Sequence, residues 1–245
     1  MPNEGASPKQ YPILKVLVGS RAHHLNNEDS DYDWRGVFVT PTTDILKIGS
    51  HPDQTNWIEG KEDNTSFEVG KFLFMATKCN PTILEMFKAY SMGASGLGGD
   101  RVPYPKHVTM GLQYGEELQS LFPHIWQPKP VMDAFIGYGI NQRKKFLEDK
   151  DTRPAKYACA YLRTLYIAHE LLTTGLFTLD VSHSEIFDVL RAWRAGSYSK
   201  GEVIDLAIKW EAKVRKAYEE NPTNPDYSME KVNDFLLKIR KEYWE

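Results

Sequence analysis

The stretch from residue 13 to residue 39 constrains this chain more than any other part of its sequence. It begins with an apolar run, Ile13–Val18, whose length and composition are typical of a buried β-strand. The run ends at Gly19-Ser20, a pair that favours a turn. Exposed backbone N–H groups and a hydroxyl at such a turn are well suited to bind phosphate oxygens.

Two carboxylates follow the turn after about ten polar residues. Asp31 and Asp33 precede a second apolar run, Val37–Val39, which predicts a second strand. Alternate residues of a strand share one face, so the two aspartates are expected side by side, roughly 6.5–7 Å apart at Cα. Adjacent carboxylates repel each other, and a hard cation such as Mg²⁺ relieves that repulsion while also binding substrate phosphates. A phosphate-binding turn beside paired metal carboxylates indicates nucleotidyl transfer.

The same residues carry a family resemblance. The pattern Gly-Ser, ten residues, Asp-Tyr-Asp resembles the motif of the DNA polymerase β nucleotidyltransferase superfamily. The fuller strings GSRAHHL and SDYDWRGVFV are similar to one branch, the predicted bacterial and phage nucleotidyltransferases that include RNA-repair-associated proteins. The resemblance extends, with decreasing specificity, over residues 13–217.

The resemblance implies a reaction and a cofactor. The expected activity is transfer of an NMP from an NTP to a hydroxyl, with release of pyrophosphate, at a two-metal site for Mg²⁺ or Mn²⁺. An RNA or DNA 3′ end is the acceptor that this branch implies, which makes NTP and nucleic acid the expected partners. Gly19 and Ser20 are then expected to hold phosphate, and Asp31 and Asp33 to be metal ligands and catalytic residues.

Sites of this family use a third carboxylate on a neighbouring strand. The candidates are Asp63 and Glu68, which lie in the stretch EDNTSFEVGKF. This stretch resembles a family segment that runs from an acidic residue through a short strand into a Lys-Phe helix start, which favours Asp63. Glu68 would lie on the strand face opposite to that of Asp63, so the two should not bind the same pair of metals. Glu68 is therefore the alternative to Asp63 as third ligand.

Four basic residues are candidates for binding the nucleotide. Arg21 and Arg35 flank the motif and are expected either to neutralise triphosphate charge or to pair with the aspartates. Lys71 is expected either to reach the triphosphate or to pair with Glu68. Arg163 lies on a predicted helix, in register with Lys156 and Glu170, where it either belongs to a solvated stripe or faces the nucleotide.

Two further patterns are similar to the family. Arg163, Glu170 and Gly175 match a family run of the form RxxxxxxELxxxG. The adjacent pair His23-His24 is poorly spaced for joint metal binding on a helix and predicts surface or substrate-rim histidines. The branch usually has Gly where His24 stands.

The overall pattern predicts an α+β fold in two parts. Residues 1–100 are expected to form the nucleotidyltransferase domain with a small mixed sheet, and residues 101–245 an α-helical substrate-binding domain. Predicted strands cover about 13–18, 32–39 and 64–69, and the segments HPDQTN and EGKEDN are expected to be loops. Helices are predicted at about 82–89, 107–121, 131–149, 154–174, 184–195, 200–219 and 229–243.

Several predicted helix ends are marked by single residues. Thr82 is the expected cap of the helix at 82–89, and the capping boxes Ser182-x-x-Glu185 and Ser199-x-x-Glu202 predict two further helix starts. Gly175 stands where a C-terminal cap is expected, after a helix that has one apolar face over 154–174. The stretch 91–105, rich in Gly, Pro and Ser, is predicted to be a linker or mobile loop.

Composition and charge place only wide limits on the partners and the location of this protein. The formal net charge of −3 provides no overall attraction to nucleic acid, although it permits a local basic groove. Two cysteines without a zinc pattern, and an N-terminal segment unlike a signal peptide, favour a reducing cytoplasm. The apolar runs are too short to span a membrane. Oligomeric state and base preference cannot be derived from these features.

Two alternatives remain open on sequence grounds. The first is transfer of an NMP to a protein or small-molecule hydroxyl, as in toxin-type and antibiotic-modifying members of the superfamily, and the mild acidity of the chain fits this slightly better. The second is a non-catalytic nucleotide-binding module that keeps only the fold. Retention of both Asp31 and Asp33 argues against the second.

Overall fold

The computed structural model describes residues 10–48, 54–59, 62–89 and 112–245, with side chains over the same ranges except 54–64 and 112–113. Within these ranges four strands form one sheet in the order β1-β2-β4-β3. The strands are β1 Tyr11–Val18, β2 Tyr32–Val39, β3 Gln54–Glu59 and β4 Glu62–Glu68.

The sheet is mixed because its strands pair in both directions. β1 and β2 are antiparallel, β2 and β4 are parallel, and β3 and β4 are antiparallel. The parallel pair brings the beginnings of β2 and β4 to the same end of the sheet, where β1, which runs the other way, ends. That end is therefore where the first strand, the aspartates of β2 and the start of β4 meet.

The helices of the described ranges cover one face of the sheet and then form a bundle. In the front half, the short α1 and α2 are followed by α3 and α4. The later helices pack mainly around α8, which contacts α7, α9 and α10. The bounds are α1 Gly19–Ala22, α2 Thr42–Ile45, α3 Val69–Thr77, α4 Pro81–Lys88, α5 Leu112–Ser120, α6 Phe122–Ile125, α7 Pro128–Leu147, α8 Pro154–Thr174, α9 Phe187–Arg194, α10 Lys200–Glu220 and α11 Met229–Glu242.

The central helix α8 is buried along most of its length. Tyr161, Leu162 and Leu165 are fully inaccessible, which matches the apolar face predicted from the period of 3.6. Gly139 allows α7 to pack closely against α8, because a Cβ at this position would lie 3.1 Å from the Tyr161 ring. α8 ends at Gly175, which has φ +73° and provides the left-handed C-terminal cap that the sequence predicts.

The last helix returns to the first part of the chain. Arg240 of α11 binds Glu68 at the end of β4, and Thr42 of α2 donates its backbone N–H to the Tyr243 carbonyl at 2.8 Å. The buried apolar side chains accordingly form one continuous cluster from Ile13 to Ile239. The boundary predicted at residue 100 lies outside the described residues, so the division into 1–100 and 101–245 stays a prediction.

The predicted α+β class is confirmed, and several element bounds agree closely. β2 and α8 agree with their predicted ranges, and the capping box of Ser199 and Glu202 is present at the start of α10. Strand β3 was not predicted, because its sequence QTNWIE lacks a clear apolar alternation. The stretch at 91–105, predicted to be a linker or mobile loop, falls outside the described residues.

Two predicted helix starts are wrong. Asn80, rather than Thr82, caps α4, and its side-chain oxygen accepts from the N–H groups of Thr82 and Ile83. The predicted capping box at Ser182 is absent, since Ser182 donates its backbone N–H to Asp180 at 2.9 Å and α9 begins only at Phe187. In both cases a neighbouring polar residue provides the better acceptor.

Both cysteines are free and buried. Burial raises the pKa of the Cys79 thiol to about 11 and that of Cys159 to about 12. Their thiols are therefore protonated and unreactive near neutral pH. Among the helices of the described ranges, none is both long enough and apolar enough to traverse a bilayer.

Candidate active site

The register of the sheet places two of the predicted metal-binding residues, Asp33 and Asp63, at adjacent backbone positions. Asp33 on β2 pairs with Val18 of β1 on one side and with Asp63 of β4 on the other. Neighbouring strands lie about 4.8 Å apart, so the backbones at positions 33 and 63 are adjacent. Gly19 follows Val18 directly. The turn, Asp33 and Asp63 therefore converge at one end of the sheet, although they are up to 44 residues apart in the sequence.

Gly19 is fitted against the carboxylate of Asp33. A Cβ built at position 19 would lie 2.0 Å from Asp33 Oδ2 and 2.9 Å from its carboxyl carbon. Gly19 also has φ +73°, in the left-handed region that favours glycine. Two independent constraints thus require glycine at this position, and both keep the turn in contact with the carboxylate.

Asp31 lies immediately before β2 and is exposed, whereas Asp33 is half-buried. The backbone leading to Asp31 is held by Arg21, whose Nη2 donates to the Ser30 carbonyl at 2.7 Å and whose Nε donates to the Asp31 carbonyl at 3.3 Å. The Arg21 guanidinium also lies 3.9 Å from the ring centre of Tyr32. Of the two expectations for Arg21, it contacts the aspartate segment, but through backbone carbonyls and the ring rather than the carboxylate.

The other predicted phosphate ligands lie on three elements: Ser20 in α1, Arg35 on β2 and Lys71 in α3. Ser20 is half-buried, and its carbonyl accepts from the Leu25 N–H at 2.9 Å. Arg35 lies two residues after Asp33 on β2, with Nη1 donating to the Trp34 carbonyl at 2.8 Å. Lys71 lies half-buried in the first turn of α3. Their roles toward a nucleotide remain predictions.

Glu68, the alternative third ligand, is occupied elsewhere. Its two carboxylate oxygens accept from Arg240 Nη1 at 2.7 Å and Nη2 at 2.9 Å, and Oε2 also accepts from the Gly70 N–H at 2.7 Å. It pairs in register with Phe38, five residues along β2 from Asp33, which corresponds to roughly 16 Å. This placement makes Glu68 a structural residue that caps α3 and anchors α11, and it leaves Asp63 as the third carboxylate to be proposed.

His23 lies in the core, which corrects the expectation of a surface or rim histidine. Its side chain is only 2% exposed, and Nδ1 lies 2.9 Å from the Leu179 carbonyl. Burial, followed by the positive charge of Arg163, lowers the pKa of His23 to about 4. His23 is therefore neutral at physiological pH. Only the tertiary structure reveals this, because Leu179 is distant in the sequence.

His24 contacts the next residue of the same distant segment. Its Nδ1 lies 2.9 Å from Asp180 Oδ1, and its φ of +54° lies in the left-handed region. Glycine adopts that conformation without steric cost, which gives a physical reason for the Gly found here in the resembled branch. The pair His23-His24 thus holds residues 179–180 against the turn that contains Gly19 and Ser20.

Arg163 forms a buried ion pair rather than part of a solvated stripe. Its Nη1 donates to Glu85 Oε1 at 2.7 Å, and the two side chains are 11% and 14% exposed. Burial alone would raise the pKa of Glu85, but the charge and hydrogen bond of Arg163, with Arg35 further away, hold it below its usual value. Glu85 is therefore charged at neutral pH. Lys156, by contrast, is exposed.

The remaining residues of the family run fix the segment that the histidines contact. Glu170 accepts from the N–H of Thr178 at 2.7 Å and from its hydroxyl at 2.9 Å. Gly175 provides the left-handed residue that turns the chain out of α8. Glu170 and Gly175 therefore help to bring residues 178–180 back toward the turn after β1, while Arg163 contacts His23 and Glu85.

Comparison with known proteins matches the front of the chain to a family model. Residues 8–94 match the model of RlaP, the RNA repair pathway DNA polymerase beta family. The family resemblance predicted from the sequence is confirmed over these residues. The matched range includes the turn, both aspartates, Asp63 and Lys71. The family indicates a nucleotidyltransferase-like role for this part of the chain.

A curated relative extends the similarity beyond that range. The chain is 26% identical over 146 residues to the uncharacterized protein YcgL of Bacillus subtilis strain 168. The alignment covers 59% of this chain and 50% of the relative, so the chain spans about half the length of the curated protein it matches.

The residue types at this end of the sheet suit a hard divalent cation, since Mg²⁺ prefers carboxylate oxygens. Asp33 and Asp63 occupy neighbouring backbone positions on β2 and β4, and Asp31 precedes Asp33 by two residues. The absent Cβ of Gly19 leaves the Asp33 carboxylate room at that end of the sheet. Among the described side chains, which do not include that of Asp63, His, Cys, Asp and Glu residues do not gather in groups of three able to hold a metal.

Proposed function

We propose that this protein is a metal-dependent nucleotidyltransferase that moves an NMP from an NTP to a hydroxyl acceptor, an RNA 3′ end, with release of pyrophosphate. The observation that supports it most is the register that aligns Asp33 with Asp63 while Gly19 packs against the Asp33 carboxylate. The RNA acceptor rests on the family that residues 8–94 match.

Each group has a role in the proposed reaction. The acceptor hydroxyl oxygen forms a bond to the α-phosphorus, the bond from that phosphorus to the α,β-bridging oxygen breaks, and pyrophosphate leaves with the electron pair. Asp63 accepts the proton of the acceptor hydroxyl. Asp31, Asp33 and Asp63 would hold Mg²⁺, or Mn²⁺, which supplies charge neutralisation for the phosphates and lowers the pKa of the attacking hydroxyl.

The phosphate groups require a separate set of donors. Gly19 allows the closest backbone approach, Ser20 offers a hydroxyl, and Arg35 and Lys71 carry positive charge within the same part of the fold. Arg21 orders the backbone before Asp31 and so orients the two aspartates. Arg163 contributes through its buried pair with Glu85.

A transfer assay tests this function. The protein is incubated with each of four α-labelled NTPs, with and without Mg²⁺, together with an RNA that ends in a 3′ hydroxyl. We expect metal-dependent label on the RNA. A matched RNA with a 3′-phosphate should remain unlabelled, and Asp31→Asn and Asp33→Asn should remove the signal.

The same assay separates the alternatives. A cell lysate or a purified protein mixture is added in place of RNA. Label on a protein band, with none on the RNA, would show that the acceptor is a protein hydroxyl. Absence of label on every acceptor, with metal and all four NTPs present, would contradict the proposed activity.

A further inference from the structure

A buried charged cluster lies behind the turn that contains Gly19 and Ser20. It consists of His23, Glu85 and Arg163, which come from the end of α1, from α4 and from α8. Arg163 Nη1 lies 2.7 Å from Glu85 Oε1 and 3.4 Å from His23 Nδ1, and His23 Nε2 lies 3.6 Å from Glu85 Oε1. Burial of three ionisable groups is costly unless they are paired, so such a cluster is expected to have a purpose.

The contacts of His23 determine its hydrogen position. A carbonyl oxygen can only accept, so the 2.9 Å contact with Leu179 assigns the hydrogen of the neutral ring to Nδ1. Nε2 then carries a lone pair, and within the described chain it has no hydrogen-bond partner although it is buried. His23 is thus held by one donated hydrogen bond and by the electrostatics of the pair beside it.

The backbone of His23 connects the cluster to the turn. Its N–H donates to the Gly19 carbonyl at 3.2 Å, and the Leu25 N–H donates to the Ser20 carbonyl at 2.9 Å. A shift of the His23 ring would therefore move the carbonyls of Gly19 and Ser20. Because Gly19 touches the Asp33 carboxylate, that shift would also reach Asp33.

We propose that His23, Glu85 and Arg163 position the nucleotide-binding turn, so that the helical rear of the chain sets the affinity for NTP without touching it. This rests on the proposed function, which assigns phosphate binding to Gly19 and Ser20. Arg163 transmits its effect through Glu85 and His23, and Glu170 and Gly175 hold the segment that supplies the Leu179 carbonyl. The three residues are positioning residues rather than ligands.

The burial of Arg163 separates this proposal from direct phosphate binding. Its side chain is 11% exposed, and its Nη1 atom donates to Glu85 Oε1 at 2.7 Å, so this nitrogen is committed within the protein. A directly binding arginine would act alone. A positioning pair acts as a unit, so losing either member should have the same effect as losing both.

The test measures NTP binding in Mg²⁺ by titration calorimetry, without acceptor, for the full-length chain. We expect Arg163→Gln and Glu85→Gln each to raise the Kd for NTP roughly 10–100-fold, as removal of supporting partners does elsewhere. The double variant should be no weaker than the weaker single variant. Arg163→Lys, which keeps the charge, should restore part of the affinity, and His23→Asn, which keeps a donor near the Nδ1 position, should bind more tightly than His23→Ala.

The chain offers a matched control. Arg240 and Glu68 form a second buried pair, with exposures of 18% and 6%, but it anchors α11 away from the turn. Arg240→Gln should lower the melting temperature about as much as Arg163→Gln and leave the Kd unchanged. All titrations are made well below the lowest melting temperature. Should Arg163→Gln fail to fold, the Arg163→Lys and His23 variants provide the same comparison.

The outcomes are distinct. An unchanged Kd in folded Arg163 and Glu85 variants, or an equal rise in Arg240→Gln, would overturn the positioning role while leaving the proposed function intact. Additive losses in the double variant would overturn it in favour of direct binding by Arg163. Failure of the unaltered protein to bind any NTP would overturn the proposed function, and this inference with it.

Discussion

A Cβ at Gly19 would lie 2.0 Å from the Oδ2 atom of Asp33, a separation that no pair of unbonded atoms can maintain. The Asp33 carboxylate therefore occupies the space that a side chain at position 19 would need. Asp33 also pairs in register with Asp63, so a displacement of Asp33 by a side chain at position 19 would occur next to Asp63.

Replacement of Gly19 should separate its conformational role from its contact with Asp33. We expect Gly19→Ala to reduce nucleotidyl transfer at least about 100-fold, since it displaces a metal ligand that supports several kcal/mol of transition-state stabilisation. Gly196→Ala is the control, because Gly196 has φ +84° with no atom within 4 Å of a built Cβ. That variant should lose roughly 1 kcal/mol of stability and keep full activity. Equal activity in the two variants would contradict the assignment.

Neutralising Asp63 should reduce activity, whereas neutralising Glu68 should reduce stability. Asp63→Asn is expected to abolish transfer with little change in the free energy of unfolding. Glu68→Gln weakens the buried pair with Arg240 and should cost roughly 3 kcal/mol of stability, while the transfer rate below the melting temperature is retained. Urea unfolding and the transfer assay together check both. Loss of activity in a folded Glu68→Gln variant would return Glu68 to the metal site.

Mg²⁺ should stabilise the protein through the same aspartates. A ligand that binds only the folded state adds about 2.7 kcal/mol at a hundredfold excess over its Kd. We therefore expect the melting temperature to rise with Mg²⁺ in the unaltered protein. The Asp31→Asn, Asp33→Asn double variant should show no such rise, because it lacks both carboxylates proposed to bind the cation. A metal-induced rise that survives in this variant would place the cation elsewhere.

The left-handed conformation of His24 predicts an unusual order of stabilities. His24→Gly and His24→Ala both lose the contact with Asp180, so the difference between them reports only the backbone at φ +54°. We expect the glycine variant to be the more stable by roughly 1 kcal/mol, although glycine is the more flexible in the unfolded chain. Thermal or urea unfolding measures this directly, and a more stable alanine variant would show that residue 24 does not hold this conformation.

The buried His23 predicts a fall in stability toward acid pH. Burial first, and then Arg163, lower its pKa from 6.5 to about 4, with Glu85 and Asp180 opposing in part. Between these values the unfolded chain binds a proton that the folded chain does not, so stability rises with pH and is lost as the pH falls from 6.5 toward 4. The shift corresponds to roughly 3 kcal/mol at its full extent.

Urea unfolding between pH 4.5 and 7.5 measures this dependence, and comparison with His23→Asn isolates it. Glu85 and Asp180 also have lowered pKa values and lose their contribution in acid, but at lower pH than His23. Their effect remains in the variant, so subtraction removes it. Parallel stability curves for the two proteins would show that His23 is not buried in its neutral form.

The strands and the turn at the front of the chain could be predicted from sequence because they depend on the local order of residues. An apolar strand, a Gly-Ser turn and alternate aspartates fix which side chains share a face, and the period of 2 or 3.6 fixes buried faces such as that of α8. The family match over residues 8–94 agrees with that reading. Strand β3 and the Asn80 cap were missed, since weak alternation and competition between neighbouring caps are decided by packing.

What the sequence by itself determined was the class of the fold and the order of strand, Gly-Ser turn and aspartate-bearing strand at its front. Only the tertiary structure could decide between Asp63 and Glu68 as the third carboxylate to propose, because strand register and the return of Arg240 from the C-terminal helix set their surroundings. It alone joined His23 to Leu179 and Arg163 to Glu85, across 156 and 78 residues. Buried charges pair with whichever residues the fold brings near them, and the separation of two residues in the sequence does not predict their distance in space.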